Sequence, residues 1–238
     1  MANSAAVPGR PRSRDAAGLP AVTPDGIVAA ALELTACHGL DNWTLRQLAA
    51  AVQAYPAVVY HHVGDREAVV SAVVNRVIGM FPLPPEDLHW REWFRRLAIE
   101  LRTVLTRYPG VARRISVHGV TVWAAAPSID RGVRLLQAAG FGDESPDIYQ
   151  FLSNVICNFI SVEDEQTRLT EVRARNLTAW GSHRDDTTMP GLAALSASVH
   201  AVASDPVRRD SYFADVFDYS VDRCLDGAEA RLEVIRRT

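Results

Sequence analysis

The sequence predicts an all-α protein, and three observations carry that prediction. Apolar residues recur at i, i+3, i+4 and i+7 through most of the chain. Thr, Ser or Asp stands before these stretches, and Gly or Pro after them. No run of alternating apolar and polar residues is long enough for a strand. Of 238 residues, 48% are hydrophobic and 22% charged, which suits a soluble chain with a sizeable core and room for two domains. The formal net charge of −3 excludes binding of nucleic acid by bulk charge alone. All 25 basic residues are arginine, a bias that runs through the whole chain and marks no site.

Residues 1–23 are rich in Ala, Pro, Gly and Arg without hydrophobic period, and read as a flexible arm carrying Arg10, Arg12 and Arg14. Such an arm can lie along DNA or stay solvated. A first helix starts at Thr23 or Asp25 with Pro24 in its first turn; Ile27, Ala30, Ala31 and Leu34 form its apolar face, and Gly39 ends it. Thr44-Leu-Arg-Gln47 is a capping-box signature opening a short second helix with Leu45, Leu48 and Val52 inward. After a break at Gln53–Pro56, a third runs from about Pro56 to His61. A fourth follows Gly64-Asp65, with Val69, Val70, Val73 and Val77 inward. Phe81-Pro-Leu-Pro-Pro85 is a rigid connector. The spacing thus divides the chain into the arm, a unit over residues 24–80 and a larger helical domain over residues 81–238.

In that larger domain a long helix capped by Asp87 reaches Tyr108, and Pro109-Gly110 breaks it. A short piece runs to about Val117. Ser128 caps a helix ended by Gly140. Another spans Ser145–Asn176, residues 180–190 form a loop, and the last helices cover Leu192–Ala203 and Arg208–Ile235. The most apolar segment, Ile148–Val162, is interrupted by Gln150, Ser153, Asn154 and Asn158; it is too short and polar to span a bilayer, so no membrane partner is expected. Nothing at the start has the apolar length of a signal peptide. Cys37, Cys157 and Cys224 lack metal-ligand spacing and read as reduced, buried thiols of a cytoplasmic protein.

The second and third helices have the form of a helix-turn-helix, in which a shared apolar face fixes two short helices and the outer side of the second enters the major groove. Leu45, Leu48, Ala49, Val59 and Val63 suit the shared core. Arg46, Tyr55, Pro56, Ala57, Val58 and His61 are left for DNA, Arg46 for guanine or phosphate and Ala57 and Val58 for thymine methyls. Tyr60, His62 and Arg66 fall where side chains reach phosphates, and the helix N-termini at Thr44 and Asp65 offer backbone amides to them.

The segments Thr44-Leu-Arg-Gln-Leu-Ala49, Val59-Tyr-His-His-Val63 and Arg66-Glu-Ala-Val69 together resemble the tetracycline-repressor (TetR) family. The close match covers about residues 24–80. The rest resembles the family in helix count and in Trp90-Arg-Glu-Trp93. The family's usual Gly-Val-Ser turn is Gln53-Ala54-Tyr55 here, and its usual Lys is Arg66. The resemblance implies a homodimeric regulator, by default a repressor, that reads a palindromic operator on double-stranded DNA and is released by a small-molecule effector. It implies a homeodomain-like N-terminal unit, and an effector-binding and dimerisation domain over the rest. The dimer surface would be the helices at 145–176 and 208–235, where Phe213, Phe217, Val221 and Leu225 suit core or interface equally.

Trp90, Trp93, Phe94, Trp123, Phe151, Asn154, Asn158 and Trp180 are candidates for the effector pocket, since such pockets combine apolar walls with few polar groups. For each aromatic residue, plain core packing is the competing reading; for Asn154 and Asn158, one turn apart, the dimer interface is an equal one. His61-His62 cannot share a metal, because adjacent helical residues point about 100° apart. His118, His183, Asp185 and Asp186 lack regular ligand spacing, and Glu163, Asp164 and Glu165 read as an exposed helix face. No phosphate loop, nucleophile elbow or His-Glu-x-x-His motif occurs, so no enzyme, metal or cofactor is expected. The alternative is a helical ligand-binding or enzymatic protein whose N-terminal unit makes protein contacts.

Overall fold

The computed structural model describes residues 21–119 and 122–237, with the backbone alone at 122, 168 and 170–174. Arg10, Arg12 and Arg14 lie outside the described residues. Eleven helices and no strand occur among the described residues: α1 (Pro24–His38), α2 (Leu45–Ala51), α3 (Pro56–His62), α4 (Arg66–Ile78), α5 (Trp90–Leu105), α6 (Val111–His118), α7 (Val122–Ala139), α8 (Ser145–Arg168), α9 (Thr170–Gly181), α10 (Pro190–Ser204) and α11 (Pro206–Ile235). None of them is long and apolar enough to cross a membrane.

Side-chain caps explain where α1, α2 and α4 start, and α3 opens on Pro56 without one. Thr23 Oγ1 accepts from Gly26 N at 3.1 Å, and Asp65 Oδ1 from Ala68 N at 2.9 Å. At α2 the capping box closes in both directions: Gln47 N donates to Thr44 Oγ1 at 3.2 Å, and Thr44 N to Gln47 Oε1 at 2.8 Å. The end of α2 turns sharply because Ala54 N bonds Ala49 O at 2.7 Å and Gln53 N bonds Ala50 O at 2.9 Å. That double closure needs a left-handed residue, and Gln53 supplies it with φ 51°, where glycine would do so without strain.

The N-terminal core joins Ile27 and Ala31 to Leu48, Val59, Val69 and Val73, all buried. Trp43, between α1 and α2, is 1% exposed. Its indole N–H donates to Thr35 Oγ1 at 3.0 Å, and the Thr35 hydroxyl donates to Ala31 O at 2.8 Å. Arg66 lies 5.0 Å above the Trp43 ring and donates to Leu40 O at 3.0 Å. The α1–α2 connection is therefore fixed from both sides.

The larger body differs from the expected boundaries in four places. Asp87 is no cap: α5 begins at Trp90 behind His89, whose side chain makes no capping bond. Ser128 lies inside α7, one residue after Pro127, because the helix already begins at Val122. The helix expected over residues 145–176 breaks at Leu169, whose ψ of 45° departs from helical geometry, and α9 then fills part of the expected loop. α11 starts at Pro206 rather than Arg208 because Asp205 Oδ1 accepts from Val207 N at 2.9 Å and proline fits the first turn behind that cap.

Arginines tie the layers together. Arg91 pairs with Asp226 and, at 2.9 Å, with Glu229, while Arg95 pairs with Asp222 at 3.2 Å, joining α5 to α11. Arg102 grips Glu163 with bonds of 2.9 and 2.7 Å. Asp164 is buried and accepts from Gly110 N at 3.0 Å. Of the expected exposed acidic face, only Glu165 stays fully in solvent, because α8 turns its neighbours toward α5 and the α5–α6 turn. Cys37 is exposed rather than buried, since α1 points Ile27, Ala31 and Thr35 inward instead.

The unit and the body are joined at the same turn. Leu40 N donates to Pro109 O at 2.8 Å, and a side chain at Gly110 would meet Leu40 Cβ at 3.2 Å. Arg114 on α6 pairs with Glu67 on α4.

Replacing Thr35 by the isosteric Val removes the acceptor of the buried Trp43 indole; the expected cost is about 1–3 kcal/mol in denaturant unfolding. An unchanged midpoint contradicts that role. Gln53→Gly relieves the left-handed strain and is expected to add up to about 1 kcal/mol, visible as a rise in Tm of about 2–4 °C; a fall contradicts it.

Candidate functional site

The outer side of α2 and α3 is open. Arg46, Ala57, Tyr60, His61 and His62 are exposed, and Pro56 and Val58 are half-buried. Tyr55, just before α3, is 70% exposed. The rings of His61 and His62 stand 5.4 Å apart at 70°, diverging as expected for adjacent helical residues. Leu48, Ala49 and Val59 are buried on the opposite side, with Leu45 and Val63 packed partly against them. The structure thus brings together one surface from Arg46, Tyr55–Val58 and Tyr60–His62.

Two expected contributors stand differently. Thr44 spends its hydroxyl within the capping box, where it also donates to Gln47 Oε1 at 3.0 Å. Arg66 points at Leu40 O and Trp43 and does not extend outward; its guanidinium is fixed on the α1–α2 connection. The amides of Gln47 and Ala68 already bond the Thr44 and Asp65 side chains, which removes them as free donors.

A cavity of about 380 Å³ lies in the body. Leu97 and Leu101 of α5, Ile115 of α6, and Ala125, Ile129 and Val133 of α7 supply apolar wall. Ile78 at the end of α4 and Phe81 just after it line the same space. Its polar groups are Ser128, Tyr149, Gln150, Ser153 and Asn154. The Tyr149 ring lies against Gly132, where a Cβ would come within 2.6 Å of it, and meets the Phe94 ring edge-on at 5.9 Å. Burial pushes the Tyr149 phenol up from its ordinary pKa, with the Ser128 and Ser153 hydroxyls beside it pulling it partly back. Burial pushes the Cys157 thiol, also on the wall, up to about 12.

Of the eight residues expected to line a pocket, Asn154 alone is on this wall. Trp90, Trp93 and Phe94 are core; Phe94 braces Tyr149 from behind, and the Trp93 indole N–H is buried without a hydrogen-bond partner among the described residues. Trp123 is 92% exposed, and Phe151 and Asn158 face outward from α8. Trp180 lines a separate cavity of about 310 Å³ with Leu177, Val199, Arg209 and Tyr212. The aromatic signal in the sequence therefore marks packing, whereas the wall is formed with Ser128, Ser153 and the ring of Tyr149, none of them among the expected pocket residues. The weak signal for them was a set of polar positions inside apolar helices. Among the described residues no group of three or more His, Cys, Asp or Glu side chains is placed to hold a metal ion.

Comparison with known proteins agrees with this arrangement. Residues 27–73 match the family model described as bacterial regulatory proteins, tetR family, and residues 81–232 match the tetracyclin repressor-like C-terminal domain. An HTH-type transcriptional regulator of Saccharopolyspora erythraea is 29% identical over 178 residues, spanning 73% of this chain and 75% of its own. Apo ActR of Streptomyces coelicolor shares the fold with a TM-score of 0.67 at 24% identity, over 88% of this chain and 99% of its own. BioQ does so with a TM-score of 0.57 at 22% identity, over 73% of this chain and 99% of its own. The open helix-turn-helix and the helical body behind it are thus parts of one pattern: the chain belongs to the TetR family of bacterial transcriptional regulators.

Proposed function

We propose that this protein is a ligand-responsive repressor, not an enzyme, which binds a palindromic operator as a homodimer and leaves it when a small molecule fills the 380 Å³ cavity. The observation that carries the proposal is that Ile78, the last residue of α4, and Phe81 line the cavity while the same helix packs on α1 of the DNA-binding unit. A ligand pressing on Ile78 moves the helix that positions α2 and α3. For release, the ligand must bind the DNA-incompetent arrangement more tightly than the competent one. The structure of ActR with actinorhodin and that of BioQ with its double-stranded operator supply both halves of the analogy.

In this reading residues 24–80 form the DNA-binding unit and residues 81–238 the effector and dimer domain. Arg46 contacts guanine or phosphate, Ala57 and Val58 meet thymine methyls, and Tyr55, Tyr60, His61 and His62 contact the backbone. Arg66 acts by holding the α1–α2 connection. Phe217, Val221 and Leu225 are buried within the chain, so the mating faces of α8 and α11 are their outer ones, with Phe151, Asn158, Val162 and Tyr219 exposed.

Selection of duplexes from a random pool by the full chain is expected to return two inverted half-sites centred about 34–36 Å apart or a multiple of that; unrelated sequences overturn the proposal. Arg46→Ala is expected to weaken operator binding by about 1–3 kcal/mol at fixed salt; equal affinity removes that contact. Sedimentation at micromolar concentration is expected to show a dimer, and a monomer contradicts the two-headed arrangement.

A further inference from the structure

The chemistry of the cavity wall restricts what can occupy it. Its lining carries no Asp, Glu, Arg or His among the described residues. Its two titratable groups, the Tyr149 phenol and the Cys157 thiol, are both pushed toward their neutral forms by burial. Arg102, beside Leu101 on α5, is itself paired in bidentate fashion with Glu163 of α8. Arg131, one turn beyond Ser128 on α7, is not part of the lining. An ion seated against the apolar wall would shed part of its hydration and meet no counter-charge on the lining, a cost that a neutral guest avoids.

The polar groups that are present are hydroxyls and amides, which can donate and accept. They are grouped: Ser128 and Ser153 flank the Tyr149 phenol, and Gln150 and Asn154 stand on the same helix as Ser153. Gly132 and Phe94 hold the Tyr149 ring, so the phenol meets a guest already oriented.

We infer that the occupant of this cavity is an uncharged, mainly apolar molecule bearing a hydroxyl or carbonyl group that engages Tyr149, Ser128 and Ser153, and that carboxylates and amines of the same shape are rejected. The inference rests on the cavity being the effector site.

The experiment compares molecules that differ in one group: naphthylmethanol, naphthoate and naphthylmethylammonium, and dodecanol, dodecanoate and dodecylammonium. Binding to the full chain is read by thermal stabilisation and calorimetry, and operator release by fluorescence anisotropy. The alcohols are expected to bind at least about tenfold more tightly than either ion, equivalent to ~1.4 kcal/mol. Tyr149→Phe is expected to reduce the preference for naphthylmethanol over methylnaphthalene by about two- to tenfold. Ser153→Ala provides a second, smaller change in the same direction. An ion that binds as tightly as its alcohol overturns the inference, as does failure of every alcohol to bind. Operator release by a carboxylate seated in the cavity would leave the proposed function standing and sink only this inference. Alcohols that fill the cavity of a chain with no operator would do the reverse.

Discussion

Helix α4 has to satisfy two environments with thirteen residues. Val69, Val70, Val73 and Val77 close the core beneath α1, and the last residue, Ile78, reaches the cavity wall. The helix packs on α1 at one side and on α6 and α7 at the other. It therefore cannot shift against the body without disturbing the unit that carries α2 and α3. β-Branched side chains suit this task, because they have few rotamers with which to absorb a displacement.

A second link runs beside it. The Leu40–Pro109 backbone bond joins the α1–α2 connection to the α5–α6 turn, and Asp164 holds that turn from α8. Arg66 grips the same connection from α4, over Trp43. The exposed pair Arg76–Asp25 adds little by comparison, since solvent screens it. The partly buried bonds of Arg66 and Asp164 tie the junction together, and the cavity lies on the body side of it.

The DNA-binding unit was legible in the sequence because its signals are local: capping residues, helical spacing and Pro56 at a first turn are each decided within a few positions. The departure at Gln53 was visible as an unusual turn, but its left-handed backbone was not. The sequence places Arg66 where a phosphate ligand is expected; its neighbours, Leu40 and Trp43, are 26 and 23 positions away in the chain, and no local pattern reveals them. The cavity was the least legible part. Large aromatic residues attract attention but tend to be consumed by packing, as Trp90, Trp93 and Phe94 show. What makes the cavity selective is a glycine, two serines and a tyrosine from two helices that meet only in three dimensions.

The central claim is mechanical: what occupies the cavity is felt at the DNA-binding surface. The most direct measurement is the operator affinity of Ile129→Trp, which fills the cavity from α7 without altering α2, α3 or α4. Helical content and the unfolding midpoint are checked alongside. The account predicts operator binding weakened by about 5- to 150-fold, the usual range of coupling between two sites. A folded Ile129→Trp protein that binds operator as tightly as the parent would contradict it.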